Sequence, residues 1–311
     1  MDDIYLHKSV LLDEVVEFVA PKPGGVYVDA TLGAGGHAEK ILESTSPDGV
    51  LIGMDLDAGM LEIAKRRLEK FGNRCGFFES NFCEIKNVLD ICAIKAVDGI
   101  LLDLGVSMYH FFDAEKGFSF SKDGPLDMRL SRKGKVSAYD IVNKWDQEKI
   151  AEIVYKYGEE KMAGRIARRI IEERNKKNIG TTGELARIVS SAAGGKRGGI
   201  HPATKTFQAL RIAVNDELNN LKSVLPAAVS LLKTGGRLCV ISFHSLEDRI
   251  VKEQFRCFSN PCECPSDFIR CVCGKKPEIK IITKKPVCPG EAETVVNPSA
   301  RSAKLRVVEK I

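Results

Sequence analysis

Short apolar runs alternate with amphipathic stretches along the first hundred residues. The apolar runs lie at Val26–Val28, near Leu51, at Gly76–Phe78 and at Val97–Asp103, and their composition is typical of strands. The last run is apolar enough to be buried on both faces, as in parallel sheets. Helical spacing of apolar residues precedes the first run, in Leu11–Val19, and separates the first three runs, in Ala38–Leu42 and Ala58–Phe71. The alternation predicts a parallel, doubly wound sheet with right-handed crossovers.

This alternation stops between Met108 and Asn215, where no segment has the pattern of a buried strand. A loop rich in Gly, Asp and Phe comes first, at Gly117–Met128, and a glycine-rich loop, Gly194–Gly199, comes near the end. Four segments between them have helical periodicity, namely Ala138–Val142, Gln147–Tyr157, Lys161–Arg174 and Thr182–Ala192. We predict an all-helical domain inserted into the sheet domain.

Strand patterns return after the insertion. A helix is predicted over Thr204–Leu232, a turn at Gly235-Gly236 and an apolar strand over Arg237–Phe243. In the tail, Ile279–Thr283 and Ala303–Glu309 alternate like the two strands of an antiparallel hairpin. The predicted division is a discontinuous sheet domain, residues 1–107 and 216–311, and an inserted domain for substrate recognition, residues 108–215.

Composition and charge narrow the class of protein. No apolar run approaches the ~20 residues of a membrane span, and the first residues lack the pattern of a secretion signal, so we expect a cytoplasmic protein. The net charge of +5 is uneven. Residues 108–215 hold 21 lysines and arginines against 13 aspartates and glutamates, a balance of +8. This basic segment indicates either a polyanionic partner or a solvated helical surface.

The first predicted strand ends in an acid and a glycine-rich turn. Asp29 is followed by Gly33, Gly35 and Gly36, and then by the predicted helix. The second predicted strand ends at Asp55, where an acid commonly binds a ribose diol. This pattern predicts a nucleoside cofactor, although a tight turn of this kind can also bind nothing.

The spacing of the glycines favours one cofactor over another. A dinucleotide-binding turn reads Gly-x-Gly-x-x-Gly, whereas this one reads Gly-x-Gly-Gly and places Glu39 where it would repel a pyrophosphate. S-adenosylmethionine has a ribose, an amino acid group and a sulfonium but no phosphate, and it suits the acidic strand ends better. The expected fold class is therefore α/β, a Rossmann-like, doubly wound, mostly parallel sheet of the class I S-adenosylmethionine-dependent methyltransferase type, with the all-helical insertion.

Other candidate residues follow the remaining strands, because ligands of open α/β sheets bind beyond the carboxyl ends of the strands. Phe82 is either an adenine-packing ring or a core aromatic residue. Asp103 ends a buried strand with a carboxylate, and it serves either a ligand or a helix cap or salt bridge. His244 is either functional or structural, and Ser245 with Asp248 has the pattern of a helix N-cap.

Ten cysteines are many for a cytoplasmic chain, and five of them cluster near the end. Cys262 with Cys264 and Cys271 with Cys273 form two Cys-x-Cys pairs that have the donor atoms of a zinc site. Zinc knuckles usually have two to four residues between their cysteines. The sequence therefore leaves zinc binding by these four cysteines open, and we predict no metal in the active site.

Several long motifs, in order along the chain, carry a resemblance to a known family. They are His7–Glu14, Asp29–His37, Asp98–Ser107, Gly117–Phe120, Gly124–Arg129, His201–Arg211, Val214–Leu218 and Ile241–Arg249. With these motifs the chain resembles the bacterial small-subunit ribosomal RNA (cytosine-N4)-methyltransferase H family, also called the MraW family, almost to its C-terminus.

The resemblance implies methyl transfer from S-adenosylmethionine to N4 of one cytidine in the decoding region of 16S rRNA within the small ribosomal subunit. The positions that match the family's cofactor contacts are Gly35, Gly36, His37, Asp55, Phe82 and Asp103. A further family contact, a glutamine, is replaced here by His110, which retains hydrogen-bonding capacity. The cysteine-rich tail is not general to the family.

Methylation of an exocyclic amine requires an aligned nucleophile and an acceptor for its protons, because the amine lone pair is delocalised into the ring. Our hypothesis is that Asp103 orients the cofactor, while Ser107, Asp127 or His244 supplies the acceptor. Tyr109 or a phenylalanine of residues 111–120 is expected to stack on the extruded base.

The inserted domain is the expected RNA platform, with phosphate contacts from basic side chains. These are Arg165, Arg168, Arg169, Lys176, Lys177, Lys196, Arg197 and Lys205. Three alternatives remain: a non-catalytic sensor that binds RNA, an NAD-dependent dehydrogenase, and a methyltransferase with another target. The oligomeric state is also open, a homodimer included.

Overall fold

The computed structural model describes residues 9–194, 201–265 and 272–311. His7 of the first motif, Lys196 and Arg197 of the basic set, most of the Gly194–Gly199 loop and Cys271 lie outside these ranges. The chain divides into two compact units. Unit 1 is Met1–Gly105 with Leu218–Ile311, and unit 2 is Val106–Glu217.

One seven-stranded sheet forms the centre of unit 1. Its strands are β1 (Val26–Asp29), β2 (Val50–Asp55), β3 (Cys75–Glu79), β4 (Val97–Asp103), β5 (Leu232–Ser242), β6 (Ile279–Ile281) and β7 (Lys304–Lys310). Their order is β3-β2-β1-β4-β5-β7-β6. The first five are parallel, and β7 is antiparallel to both β5 and β6. The predicted fold class, a mostly parallel doubly wound sheet, is confirmed, as is the final antiparallel pair.

The α-helices of the described residues occupy most of the predicted helical segments. They are α1 (Leu12–Val19), α2 (Gly36–Ser44), α3 (Ala58–Leu68), α4 (Ile85–Ile91), α5 (Met108–Phe112), α6 (Ala138–Lys144), α7 (Gln147–Gly158), α8 (Ala163–Arg174), α9 (Thr182–Ala193), α10 (Thr204–Asn215), α11 (Glu217–Leu231), α12 (Ser245–Ser259) and α13 (Glu291–Val296). None of them is long and apolar enough to pass through a membrane.

The strand order reverses between β1 and β4, which places a cleft at the carboxyl ends of the central strands. β4 lies between β1 and β5, and its residues Val97–Leu102 are all buried. Apolar clusters cover both faces of the sheet, one including Val28, Ile100 and Val240, and the other including Leu101 and Cys239. Successive side chains of the same strands thus fill opposite faces, which explains their unbroken apolar character.

Unit 2 has its own apolar core, formed by the helices α6–α10 and by the loop that precedes them. The described residues of this unit contain no strand, and an isolated β-bridge among them joins Pro125 to Thr181. Helices α6 and α9 each begin with a capping box, from Ser137 to Asp140 and from Thr181 to Glu184.

Two predicted elements differ from the structure. The predicted helix over Thr204–Leu232 is two helices, because Asp216 adopts a left-handed conformation (φ 50°) that ends α10. The predicted turn at Gly235-Gly236 is an irregularity within β5. That strand begins at Leu232, and its pairing with β4 shifts register between Val97 and Gly99. The apolar pattern of a helix continues through Asp216, so the sequence did not show the break between α10 and α11. The apolar pattern of the strand starts only after Gly236, so the sequence did not show that β5 begins at Leu232.

Candidate active site

The glycine-rich turn connects β1 to α2 and depends on glycine for two different reasons. Gly33 and Gly35 have positive φ values of 52° and 79°, a conformation that strains other residues. A Cβ atom on Gly36 would overlap the hydroxyl oxygen of Ser9. The turn therefore brings bare backbone to the sheet edge, as expected, but Gly36 is also required by packing within the protein.

Asp55, at the end of β2, is bonded directly to this turn. Its Oδ2 accepts a hydrogen bond from the Gly33 N–H at 2.8 Å, and its Oδ1 accepts one from the Asp57 N–H at 2.8 Å. Asp57 in turn caps α3 by accepting from the Gly59 N–H. These bonds hold the second-strand carboxylate, whose two oxygens are hydrogen-bond acceptors, beside the glycine turn.

Two further carboxyl groups lie at the ends of the central strands. Asp29 is 1% exposed, and burial together with the nearby Asp55 carboxylate raises its pKa to about 7, although the Thr31 N–H bond opposes the shift. Burial, followed by the charges of Asp29 and Glu247, raises the pKa of Asp103 well above its usual range. The strand ends thus form an acidic, poorly solvated cluster that favours a cationic ligand.

Asp103 is fixed in this cluster by its neighbours from distant parts of the chain. Its backbone N–H donates to Thr31 Oγ1 at 2.6 Å, and its Oδ2 lies 3.8 Å from His37 Nδ1. The other ring nitrogen of His37 is 2.9 Å from the Val10 carbonyl oxygen. Asp103 Oδ1 is buried and has no hydrogen-bond partner within the described residues. An acceptor in this state indicates a ligand donor at this position.

Phe82 follows β3 and occupies the same edge of the sheet. The Ser80 N–H donates to the Asp55 carbonyl oxygen at 3.0 Å, which joins the end of β3 to that of β2. The Asn81 side chain accepts from the Cys83 N–H and starts the short 3₁₀ turn that contains Phe82. The Phe82 ring packs against the apolar cluster of the sheet while remaining partly exposed. Both interpretations of this ring, core packing and adenine packing, are compatible with its position.

His244 lies between β5 and α12 and forms the N-cap of that helix. Its Nδ1 accepts from the Glu247 N–H at 3.4 Å, and its Nε2 lies 3.2 Å from Glu247 Oε1. The Glu247 carboxylate accepts in return from the N–H groups of Phe243 and His244. The predicted N-cap, Ser245 with Asp248, is therefore wrong by one position. A histidine can replace serine there because its ring nitrogen is also an acceptor.

The remaining candidates lie in unit 2. Ser107 caps α5, where its Oγ accepts from the Tyr109 N–H at 3.3 Å. His110 is 4% exposed and lies 5.5 Å from the Phe118 ring. Burial disfavours ionised Asp127, but two hydrogen bonds from the Arg129 guanidinium, at 2.6 and 2.8 Å, outweigh this and lower its pKa.

Two exposed aromatic rings lie on α5. Tyr109 is 37% exposed and Phe112 is 62% exposed. The ammonium group of Lys116 lies 5.8 Å from the centre of the Tyr109 ring, and that of Lys122 lies 5.7 Å from the Phe112 ring. Aromatic faces flanked by cations have the character of a nucleotide-binding surface.

Sequence reasoning missed two contributors to this site and misjudged the charge of a third residue, Glu39. Thr31 accepts a hydrogen bond from the backbone of Asp103, and its only sequence signal was a hydroxyl residue after a strand. Buried Glu247 adds a charge near Asp103, and its only sequence signal was an acid after a histidine. Glu39 forms ion pairs with Arg67 and Lys70, both at 2.8 Å. These two cations neutralise its carboxylate, so the argument against a pyrophosphate rests on the glycine spacing more than on repulsion by Glu39.

S-adenosylmethionine fits the residues at the strand ends of unit 1. The unsatisfied oxygen of Asp103 can accept from a ligand donor, and Asp55 can accept from a ribose diol. The acidic cluster is complementary to a cation and opposes a phosphate group. The site residues predicted from sequence in unit 1, Gly35, Gly36, His37, Asp55, Phe82, Asp103 and His244, all lie at this edge of the sheet.

Comparisons with known proteins give a consistent result. A sequence profile described as the MraW methylase family matches residues 4–311. A protein of Geotalea uraniireducens named "Ribosomal RNA small subunit methyltransferase H" is 50% identical over 315 residues, which cover 100% of both chains. Proteins of the same name from Halothermothrix orenii and Geobacter sulfurreducens are also 50% identical, covering 98% and 99% of both chains.

Solved structures share less with the chain. A ribosomal RNA methylase from Streptococcus thermophilus is 9% identical, with a TM-score of 0.42, and the alignment covers 96% of this chain and 93% of the other. A likeness of this level is too distant to support an argument about the site.

Proposed function

The chain belongs to the MraW methylase family and is an S-adenosylmethionine-dependent methyltransferase. On that premise we propose that it methylates the N4 amine of a specific cytidine in the decoding region of 16S rRNA, within the small ribosomal subunit. The names of its relatives support small-subunit ribosomal RNA as the substrate. The cytidine, its N4 atom and the decoding region rest on the motif resemblance alone.

The structural observation that supports methyl transfer from S-adenosylmethionine is the acidic cluster at the strand ends, with its unsatisfied Asp103 oxygen. When bound, S-adenosylmethionine supplies an electrophilic methyl group on a sulfonium. Asp103 would accept a hydrogen bond from the amino acid part of the cofactor, Asp55 would accept from the ribose, and the glycine turn would line the site. A cation near Asp103 lowers the pKa of that carboxyl, so we expect cofactor affinity to increase with pH.

The proton acceptor for the target amine is one of three residues, and their contacts rank them. Asp127 is paired with Arg129. Nδ1 of His244 accepts the Glu247 N–H, so the proton of the neutral ring is on Nε2, which is buried without a hydrogen-bond partner among the described residues. Ser107 Oγ accepts one backbone N–H and retains a second lone pair and its own proton. Ser107 therefore requires the least rearrangement to act as the acceptor, whereas Asp127 must give up Arg129 and His244 must move its ring proton.

Base recognition is assigned to the rings on α5. Tyr109 and Phe112 are exposed and close to lysine ammonium groups, so they offer a stacking surface to a base removed from its helix. The exposed cations of unit 2 would contact the flanking phosphates.

Nucleoside mass spectrometry tests the proposal. Small subunits from a strain that lacks the modification are incubated with the chain and labelled S-adenosylmethionine, and the label in RNA and in protein is measured. One portion of the RNA is digested to nucleosides and examined for N4-methylcytidine, and another is cut by a base-specific ribonuclease so that the mass of the methylated fragment gives its position. We expect one such nucleoside per subunit, at a decoding-region position. A methyl group on another base, on protein or on neither would overturn the proposed target, and no transfer with intact cofactor binding would favour a non-catalytic sensor.

Asp103→Asn tests the site independently of the target. We expect transfer to fall by roughly 100-fold or more, as when one preorganised electrostatic group is removed from an active site. Cofactor affinity should also lose its increase with pH. Asp98→Asn is the control, because Asp98 lies at the opposite end of β4, with Lys22 and Lys233 as its partners. Equal activity of the Asp103 variant and wild type would remove Asp103 from the mechanism.

A further inference from the structure

Three cysteine sulfur atoms converge in the segment between α12 and β6. The Sγ atoms of Cys262, Cys264 and Cys273 lie within 4.8 Å of one another, and the Cys262–Cys273 pair is 4.0 Å apart. Zinc–sulfur bonds of about 2.3 Å in a tetrahedron place their sulfur atoms about 3.8 Å apart. The separations therefore allow one ion to contact all three sulfurs after small adjustments.

A backbone donor supports the same interpretation. The Val272 N–H donates to Cys264 Sγ at 3.3 Å. Hydrogen bonds to ligand atoms orient metal ligands, and an N–H donor stabilises the negative charge of a thiolate. An ion pair also joins Glu263, which lies between Cys262 and Cys264, to Lys275, two residues after Cys273. Both contacts connect the residues around Cys262 and Cys264 to the residues around Cys273, and so they hold the three sulfurs together.

The segment has no apolar core of its own to hold it in shape. None of the described residues in the ranges 260–265 and 272–278 is buried, and Val272 is 73% exposed. Its attachment at the far end is a hydrogen bond from the Glu278 N–H to the Phe258 carbonyl oxygen at 3.0 Å. Short segments that cannot bury apolar surface are commonly stabilised by a structural metal ion.

The length of α12 separates the cluster from the strand ends where the proposed reaction takes place. Helix α12 begins at the strand ends and has 15 residues, so its C-terminal end is about 20 Å from the acidic cluster. The three cysteines follow that far end. An ion there would fix the connection between α12 and the edge strand β6, rather than contact a ligand at the strand ends.

We infer that Cys262, Cys264 and Cys273 bind a structural zinc ion. Thiolates are soft ligands that select zinc over magnesium or calcium, and zinc is stable in a reducing compartment because it does not change oxidation state. The fourth position of the tetrahedron is left unassigned. Binding releases the thiol protons to solvent, and no oxidant or reductant takes part.

Metal analysis of the purified full-length chain tests this inference. We expect about one zinc ion per chain in wild type and less than about a fifth of that in Cys273→Ser, since loss of one thiolate weakens a tetrahedral site strongly. Cys257→Ser is the matched control, because Cys257 is exposed in the last turn of α12 but is not part of the cluster. It should retain the wild-type zinc content.

Cobalt substitution keeps the test informative if Cys273→Ser does not fold. Wild-type chain stripped of metal and titrated with Co²⁺ should develop the intense visible bands of a tetrahedral ion and a sulfur-to-cobalt charge-transfer band. Zinc should then abolish these bands at one equivalent. Absence of the bands, zinc content equal in both serine variants, a disulfide between the three cysteines, or iron with sulfide would each overturn the assignment. Methyl transfer is not the readout, so failure here is distinct from failure of the proposed function.

Discussion

At the level of single residues, Asp29 is a carboxyl group whose surroundings oppose its ionisation. Its folded pKa of about 7 lies above the ordinary value of 3.8. The folded chain therefore keeps a proton that the unfolded chain releases, and stability falls as pH rises between about 4 and about 7. Asp29→Asn should remove this loss, which amounts to at most about 4 kcal/mol at 1.36 kcal/mol per pKa unit.

Urea unfolding without cofactor at pH 5 and pH 8 measures the effect. The difference in unfolding free energy between variant and wild type should become more favourable to the variant at pH 8. Asp48→Asn is the control, because Asp48 also accepts one backbone N–H, from Gly24, but is exposed. Parallel pH dependence in wild type and the Asp29 variant would contradict the prediction.

Variants of Gly36 can distinguish a role of this glycine in packing from a role in ligand binding. A Cβ atom there would overlap Ser9 Oγ, while the Ser9 Cβ lies 3.4 Å away, at ordinary contact distance. We expect Gly36→Ala to destabilise the chain by about 1–3 kcal/mol, as overpacking does. Adding Ser9→Ala should restore most of this loss, since it removes the overlapping oxygen and alanine favours the helix. Thermal or urea unfolding measures both.

The double variant then reports on the cofactor. If Gly36 also brings backbone close to S-adenosylmethionine, the stable double variant will bind it less tightly than Ser9→Ala alone does, in calorimetry. Equal affinity would restrict Gly36 to packing. Failure of Ser9→Ala to restore stability would show that the overlap is not the cause of the loss.

At the level of elements, two asparagines attach loops to helices of unit 2 in the same way. Asn143 Nδ2 donates to the Tyr139 and Ile179 carbonyl oxygens, and its Oδ1 accepts from the Ile179 N–H. Asn215 Nδ2 likewise donates to the carbonyl oxygens of Arg211, in its own helix, and Met128, and its Oδ1 accepts from the Leu130 N–H. Met128 has a φ of 61°, which costs a residue other than glycine roughly 1–2 kcal/mol.

Asn215→Ala should therefore destabilise the chain by about 3 kcal/mol, from three lost hydrogen bonds of about 1 kcal/mol each. Asn215→Asp should be no better, because it keeps the acceptor but turns an oxygen towards two carbonyl oxygens. Urea unfolding compares these with Asn178→Ala, a change of the same residue type at an exposed loop position. An Asn215→Ala loss no larger than that of the control would refute the attachment.

At the level of the whole molecule, fewer basic side chains of unit 2 are available to bind phosphate than the number of lysines and arginines indicates. Most of the predicted phosphate-binding cations in the described residues form ion pairs with nearby acids, as Arg168, Arg169, Lys176 and Lys177 do with Glu172, Glu173 or Glu184. Arg165 is exposed and has no ion pair within the described residues. A phosphate must displace a carboxylate from a paired cation, but not from Arg165.

This difference predicts how RNA binding responds to salt. Arg165→Gln should weaken binding and reduce the slope of log affinity against log salt by about 0.7, the value for one phosphate contact to single-stranded RNA. Arg169→Gln, one turn away on α8, should change the slope much less. Filter binding of small-subunit RNA between low and physiological salt measures both slopes. Equal slopes for the two variants would show that ion pairing does not govern the contacts.

The mostly parallel sheet, the helical insertion and the location of the site could be predicted from sequence because each depends on local pattern. Period and composition identify strands and helices, and the connection rules of parallel sheets then bring the ends of β1, β2 and β4 together. Asp29, Asp55 and Asp103 could thus be placed at one edge. The family could be identified because long motifs are local as well.

Only the tertiary structure decided the surroundings of those residues, namely their burial, their packing neighbours and their charged partners. Asp103 and Thr31 are 72 positions apart, Gly36 and Ser9 are 27 apart, and Cys262 and Cys273, whose sulfurs are in contact, are 11 apart. Desolvation, steric overlap and charge pairing depend on neighbours that folding brings from elsewhere in the chain. The sequence by itself therefore determined which groups lie at the sheet edge, and packing determined their protonation, their partners and their freedom to bind.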